Sequence, residues 1–171
     1  MTQQAHFVAI LMGSDSDLKT MQSTVDVLEA FGVRVEVNIK SAHRTPEETR
    51  QYVQDADRRG CAVFIAGAGL AAHLAGAIAA HTLKPVIGVP MEGGPLNGFD
   101  ALLSTVQMPA GIPVASVAIG KAGAKNAAYL AAQILALADS GLAARVRRER
   151  DDSRTAVLAK DAALRQQRET R

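Results

Sequence analysis

Apolar positions along this chain alternate between two rhythms, short unbroken runs and longer stripes at helical spacing. Phe7-Val-Ala-Ile-Leu11 is the first run, and Met21, Val25, Leu28 and Phe31 continue it as one face of a helix. The alternation Val33, Val35, Val37, Ile39 predicts a second strand, and Pro46 to Arg59 a second helix with Tyr52, Val53 and Ala56 turned inward. Ala62-Val-Phe-Ile-Ala66 predicts the third strand, Leu70 to His81 the third helix, and Pro85 to Pro90 the fourth strand. Phe99 to Gln107 reads as a helix, Pro113 to Ile119 as a fifth strand, and Ala122 to Ala138 as a long closing helix. Parallel neighbours need crossover helices, so strands alternating with helices at this spacing predict an α/β fold. The expected architecture is a doubly wound three-layer sandwich on a parallel sheet of about five strands, in the flavodoxin or Rossmann manner.

Residues 141–171 lack a strong apolar stripe and carry nine Lys/Arg against five Asp/Glu, whereas residues 1–140 carry ten against twelve. The division expected is therefore a single α/β catalytic domain over 1–140 and a helical extension over 141–171 that packs on a neighbouring subunit. At 171 residues a sizeable core is available, but aromatics make up only 4% of the chain and Trp is absent, so Ala, Val, Ile and Leu must fill it. The formal charge of +2 is too small to argue for a nucleic-acid partner. Gly60 to Leu83 contains no charged residue and is long enough to span a bilayer, yet Gly67, Gly69, Gly76, His73 and His81 interrupt it and Ala dominates it. That composition reads as a buried strand, a glycine turn and a buried helix, with no membrane partner. Cys61 has no second cysteine to pair with, which fits a cytoplasmic protein with a buried thiol.

Three strand-to-helix loops fall on one edge of such a sheet, the edge at which open α/β folds bind ligands. Gly13-Ser-Asp-Ser-Asp17 puts two hydroxyls and two carboxylates at a helix N-terminus. Helix capping needs one such residue; backbone N–H groups with Ser14 and Ser16 suit a phosphate, and Asp17 suits a ribose diol. Ser41-Ala-His43-Arg44-Thr-Pro46 sets an imidazole beside a fixed positive charge, with Pro46 opening a helix and Thr45 available to cap it. Gly67-Ala-Gly69-Leu-Ala-Ala72 satisfies the loose dinucleotide fingerprint, with Glu92 near the distance of a ribose-binding acid. The fingerprint normally follows the first strand, so the same loop can instead bring bare amides to a small carboxylate, with His73 close by either as a participant or as a core histidine. No Cys/His/carboxylate cluster has metal-ligand spacing.

Taken in order and spacing, Gly13-Ser-Asp-Ser-Asp17, Ser41-Ala-His-Arg-Thr-Pro46, Ala66-Gly-Ala-Gly69 with Ala71-Ala-His-Leu74, Leu102-Leu-Ser-Thr-Val-Gln-Met-Pro109 and Val117-Ala-Ile-Gly-Lys-Ala-Gly-Ala124 resemble the N5-carboxyaminoimidazole ribonucleotide mutases of purine synthesis. The resemblance covers roughly residues 7–140. It implies a cofactor-free move of a carboxylate from the exocyclic nitrogen to the ring carbon of an aminoimidazole ribonucleotide, through CO2 held in a closed site. By motif position it implies that Ser14, Ser16, Ser41 and Arg44 hold the phosphate, Asp17 the ribose, that Gly69, His73 and Leu74 line the carboxylate pocket, and that His43 carries the proton. It also implies a homo-oligomer, an octamer. Two departures stand out: Leu70 where the family often has glycine, and Ala75 where it often has proline. The readings set against the mutase are an NAD(P)-dependent oxidoreductase using Gly67 to Ala72, and a nucleotide-binding module without catalysis.

Overall fold

The computed structural model describes residues 6–169. The chain divides into two compact units, Met1–Ala132 and Gln133–Arg171. In the first, β1 (Phe7–Met12), β2 (Arg34–Ile39), β3 (Cys61–Ala68), β4 (Val86–Pro90) and β5 (Ala115–Ser116) form one parallel sheet in the order β2-β1-β3-β4-β5. That is the flavodoxin-like order, and its topological switch point lies between β1 and β3. The crossovers are α1 (Leu18–Ala30), α2 (Pro46–Arg58), α3 (Leu74–Ala79) and α4 (Phe99–Val106), followed by α5 (Gly120–Ala136).

All six residues of β1 are buried, as expected of a strand flanked on both sides and covered on both faces. Successive side chains point to opposite faces, so Phe7, Ala9 and Leu11 join Phe64 and Ala66 of β3 in a cluster with Val53 and Ala56 of α2 and Leu74, Ala75 and Ile78 of α3. Gly67 turns to the other face: a Cβ there would lie 2.8 Å from Sδ of Met21 on α1. On that second layer the Thr24 hydroxyl of α1 donates to the Ala124 carbonyl of α5 at 2.8 Å, and the Phe31 and Tyr129 rings meet edge to face at 5.8 Å. The inner stripe of α5 is Gly123, Ala124, Ala127, Ala128, Ala131 and Ala132, so the aromatic-poor composition is expressed as close helix-on-sheet packing.

Two elements differ from the sequence expectation. The fifth strand is reduced to Ala115–Ser116, because it is an edge strand paired only with β4 and Pro109 and Pro113 supply no N–H to a ladder. The third helix begins at Leu74, four residues later than the apolar pattern suggests, since Leu70 takes a left-handed conformation (φ 54°) that a helix cannot include. The second unit contains α6 (Ser140–Glu169), a helix of 30 residues that is exposed throughout 151–168 and carries an Arg165–Asp161 pair at 2.9 Å. No helix among the described residues is long and apolar enough to cross a membrane.

Candidate active site

Register brings the three chemical loops to one level. Met12 pairs with Ile39 on one side and Gly67 on the other, so β1, β2 and β3 run out together at the carboxyl edge. Two further bonds, Gly13 N–H to Gly67 O at 3.1 Å and Lys40 N–H to Met12 O at 2.9 Å, carry the ladder into the loops. Between them lies a cavity of about 460 Å3, within the size range of small-molecule sites. Ser14, Ser16, Asp17, Ser41, His43, Arg44, Gly69, His73 and Leu74 all line it.

On the first wall the Ser14 hydroxyl accepts the Ser16 N–H at 3.3 Å, capping the short 3-10 turn Asp15–Asp17 that leads into α1. Its own hydrogen goes to Asp15 Oδ1 at 3.1 Å. Burial raises the Asp17 carboxyl above its ordinary value, and the Ser14 and Ser16 hydrogen bonds only partly offset it.

The second wall is a closed loop. Thr45 does not cap α2 with its side chain; its hydroxyl accepts the Ser41 N–H at 2.9 Å, and its own N–H returns to Ser41 O at 3.0 Å. Ser41 Oγ accepts the Arg44 N–H at 3.1 Å. Arg44 Nη2 crosses to the Gly13 carbonyl at 2.9 Å, tying the second loop to the first and leaving its other guanidinium donors for a ligand.

The third wall supplies a contact that no sequence pattern forecast. His43 Nε2 and His73 Nδ1 stand 2.6 Å apart, their rings edge to face with centroids at 4.8 Å. A separation that short between two ring nitrogens requires a hydrogen on one of them, so the two imidazoles form a single donor–acceptor unit. His73 sits at the cap position before α3, in the loop and not on the helix's first turn. The strand–turn–helix geometry that a dinucleotide fingerprint needs is not made by Gly67 to Ala72, because residues 70–73 intervene before the helix.

Met91, Glu92, Gly93 and Gly94 complete the cavity rim; the sequence offers the Glu92 to Gly98 loop as part of a lid over the site, and Met91 lies outside that expectation. The signal available was the position of Pro90 at the end of β4, next to β3. Glu92 also lies beside the N-terminus of α5, where the helix dipole favours a carboxylate: a Cβ on Gly120 would lie 2.5 Å from Glu92 Oε1. Among the described residues no group of three or more His, Cys, Asp or Glu is arranged to hold a metal ion. Cys61 is buried at the far end of β3, and burial pushes its thiol up to about 11.

A flavodoxin-like sheet with a hydroxyl- and arginine-lined cavity and an imidazole pair at its switch point has the form of an α/β protein with a small-molecule site at the carboxyl edge of the sheet. Comparison with known proteins narrows the class. The AIR carboxylase family matches residues 7–156, and the chain belongs to it. It is similar to the N5-carboxyaminoimidazole ribonucleotide mutase of Synechocystis sp., at 54% identity over 96% of this chain and 92% of that one. It is also similar to the mutase of the same name from Bacillus subtilis, at 52% identity over 88% and 93% of the two chains. The crystal structure of Treponema denticola PurE superposes with a TM-score of 0.85 and 29% identity, covering 93% of this chain and 98% of that one. The chain is thus an enzyme of the mutase, isomerase type.

Proposed function

We propose that this enzyme converts N5-carboxyaminoimidazole ribonucleotide to 4-carboxy-5-aminoimidazole ribonucleotide in purine synthesis. The observation that carries the reading is the His43–His73 pair at 2.6 Å, which lines one cavity together with Ser14, Ser16 and Arg44. Ser14, Ser16, Ser41 and Arg44 hold the 5′-phosphate, with the backbone N–H groups at the start of the 3-10 turn as further donors. Asp17 accepts from the ribose hydroxyls. The aminoimidazole then reaches toward Gly69, His73 and Leu74.

The chemistry needs one proton moved and returned. As the N–CO2 bond breaks, His43 gives its proton to the exocyclic nitrogen, and CO2 stays in the pocket. The electron-rich ring carbon attacks CO2 and forms the new C–C bond. His43 then takes the hydrogen displaced from that carbon, which leaves the enzyme as it began. His73, sharing a hydrogen with His43, steadies the ring in whichever state it holds. Excluding water keeps CO2 from escaping, a task for the 92–98 loop at the rim.

No ATP, biotin or metal enters this scheme. The ligand is a small ribonucleotide and not a nucleic acid or membrane, and the buried thiol fits a cytoplasmic setting. The 1–140 domain carries the site. Phe99, Leu103 and Val106 form an exposed apolar stripe on α4, which supports a homo-oligomer, an octamer by resemblance, with 141–171 reaching a neighbour. Light scattering that gives a monomer contradicts that assembly. The activity is tested by supplying the N5-carboxy substrate without ATP or metal and following the product. Conversion only of the decarboxylated ribonucleotide with bicarbonate makes the enzyme a carboxylase, and saturable NAD(P) binding with no response to either ribonucleotide removes the assignment.

A further inference from the structure

We propose that Ser104 of α4 is a positioning residue that holds the His73 loop in its working shape; this rests on the reading of the cavity as a mutase site. Leu70 adopts φ 54°, a conformation that side chains with a Cβ disfavour, so the turn does not hold itself. Ala72 is 1% exposed, and its N–H cannot turn to water. That N–H donates to Ser104 Oγ at 3.0 Å. The serine's single hydroxyl hydrogen is directed into its own helix, toward Asp100 O at 2.9 Å or Ala101 O at 3.2 Å, with Leu70 O more distant at 3.4 Å. A lone pair is therefore left for Ala72. The next residue is His73, whose N–H closes a tight turn on Ala71 O at 2.9 Å.

One peptide unit thus separates the Ser104 anchor from the ring that meets His43. Removing the oxygen leaves a buried donor unpaired and a strained turn free to relax, which displaces the His73 ring. The phosphate contacts come from the other two loops and should stay. Ser104 touches no substrate in this account; it acts through His73.

Three variants test it. Ser104→Thr keeps the oxygen, Ser104→Val has the shape of Thr without the oxygen, and Ser104→Ala removes bulk and oxygen together. Histidine ring 15N and 1H spectra of the free enzyme, assigned with His43→Asn and His73→Asn, report the ring pair directly. Thr should preserve the paired ring signals and keep kcat within about fivefold, whereas Val and Ala should both lose the pairing and, by misplacement, about 10²-fold in kcat with KM nearly unchanged. Oxygen alone should sort the three. Any other order overturns the proposal, including Thr and Val failing alike, Ala behaving as wild type, or losses in KM instead of kcat. If the wild type does not convert the ribonucleotide, the mutase reading fails, and the ring spectra still decide the role of Ser104.

Discussion

Helix α2 joins two regions that treat charge in opposite ways. At its N-terminus it leaves the loop 41–45, where Arg44 and His43 face an open cavity and keep hydrogen-bonding capacity free for a ligand. Just beyond its C-terminus Arg59 bonds through all three of its nitrogens, donating to Glu36 at 2.6 and 2.9 Å and to Asp55 at 2.6 Å. Tyr52 adds a bond to Glu36 at 3.2 Å, and the Arg34 and Arg59 guanidinium groups both lie against the Phe7 ring. Hydrogen bonding by Arg59 lowers the Glu36 carboxyl, whereas burial raises that of Asp17 at the site. One end of the helix satisfies its charges within the fold; the other leaves them for a substrate, at some expense in stability.

The contrast breaks most readily at His43. His43→Asn should leave the ribonucleotide bound while kcat falls by at least about 10²-fold, the contribution general acid/base groups commonly make. Normal turnover would move the proton to another group, with His73 next in line. Arg44→Ala should act on binding instead. Loss of a charge-assisted phosphate contact weakens affinity on the order of 10- to 100-fold, read as KM or by calorimetry, and the loss of the Arg44–Gly13 tie contributes to it.

At the other end of α2, Glu36→Gln should lower stability by about 1 kcal/mol, the upper range for a partly exposed pair, and leave kcat and KM alone. The sign with pH follows from the lowered carboxyl. The stabilisation is complete above its ordinary value of 4.5 and disappears as pH falls through the depressed folded-state value, so wild type and variant should converge in acid. Asp17→Asn should show the reverse sign. A raised carboxyl binds its proton more tightly in the folded state, so its cost grows as pH rises above the ordinary 3.8. The variant should therefore melt higher at neutral pH, lose that advantage in acid, and bind the ribonucleotide more weakly. The smallest effect expected is that of exhaustive chelation, which should leave turnover unchanged. Loss of activity restored by a divalent ion would show a metal requirement that the donor arrangement does not suggest.

The alternation of apolar runs and stripes was enough to fix five strands, five crossover or closing helices and their order, because burial on a parallel sheet demands that pattern of its sequence. The same reasoning brought Ser14, Ser16, Asp17, Ser41, His43 and Arg44 to one edge, since loops after parallel strands share the carboxyl end. It overran α3, because nothing in the apolar spacing of Leu70, Leu74 and Ile78 tells of a left-handed backbone at Leu70. It left Thr45 available as a side-chain cap, whereas its hydroxyl closes the Ser41 loop.

The sequence by itself determined which residue types were available to the site and which strand ends carried them. Only the tertiary structure decided that the two histidines, 30 residues apart, meet at 2.6 Å, and that Ser104 reaches Ala72 from a helix beyond the next strand. Periodicity assigns a residue to a face or an edge, to within a turn of helix or a step of strand. A hydrogen bond is set by tenths of an ångström, and that placement comes from strand register, from one strained residue at position 70, and from the packing of α4 against β4.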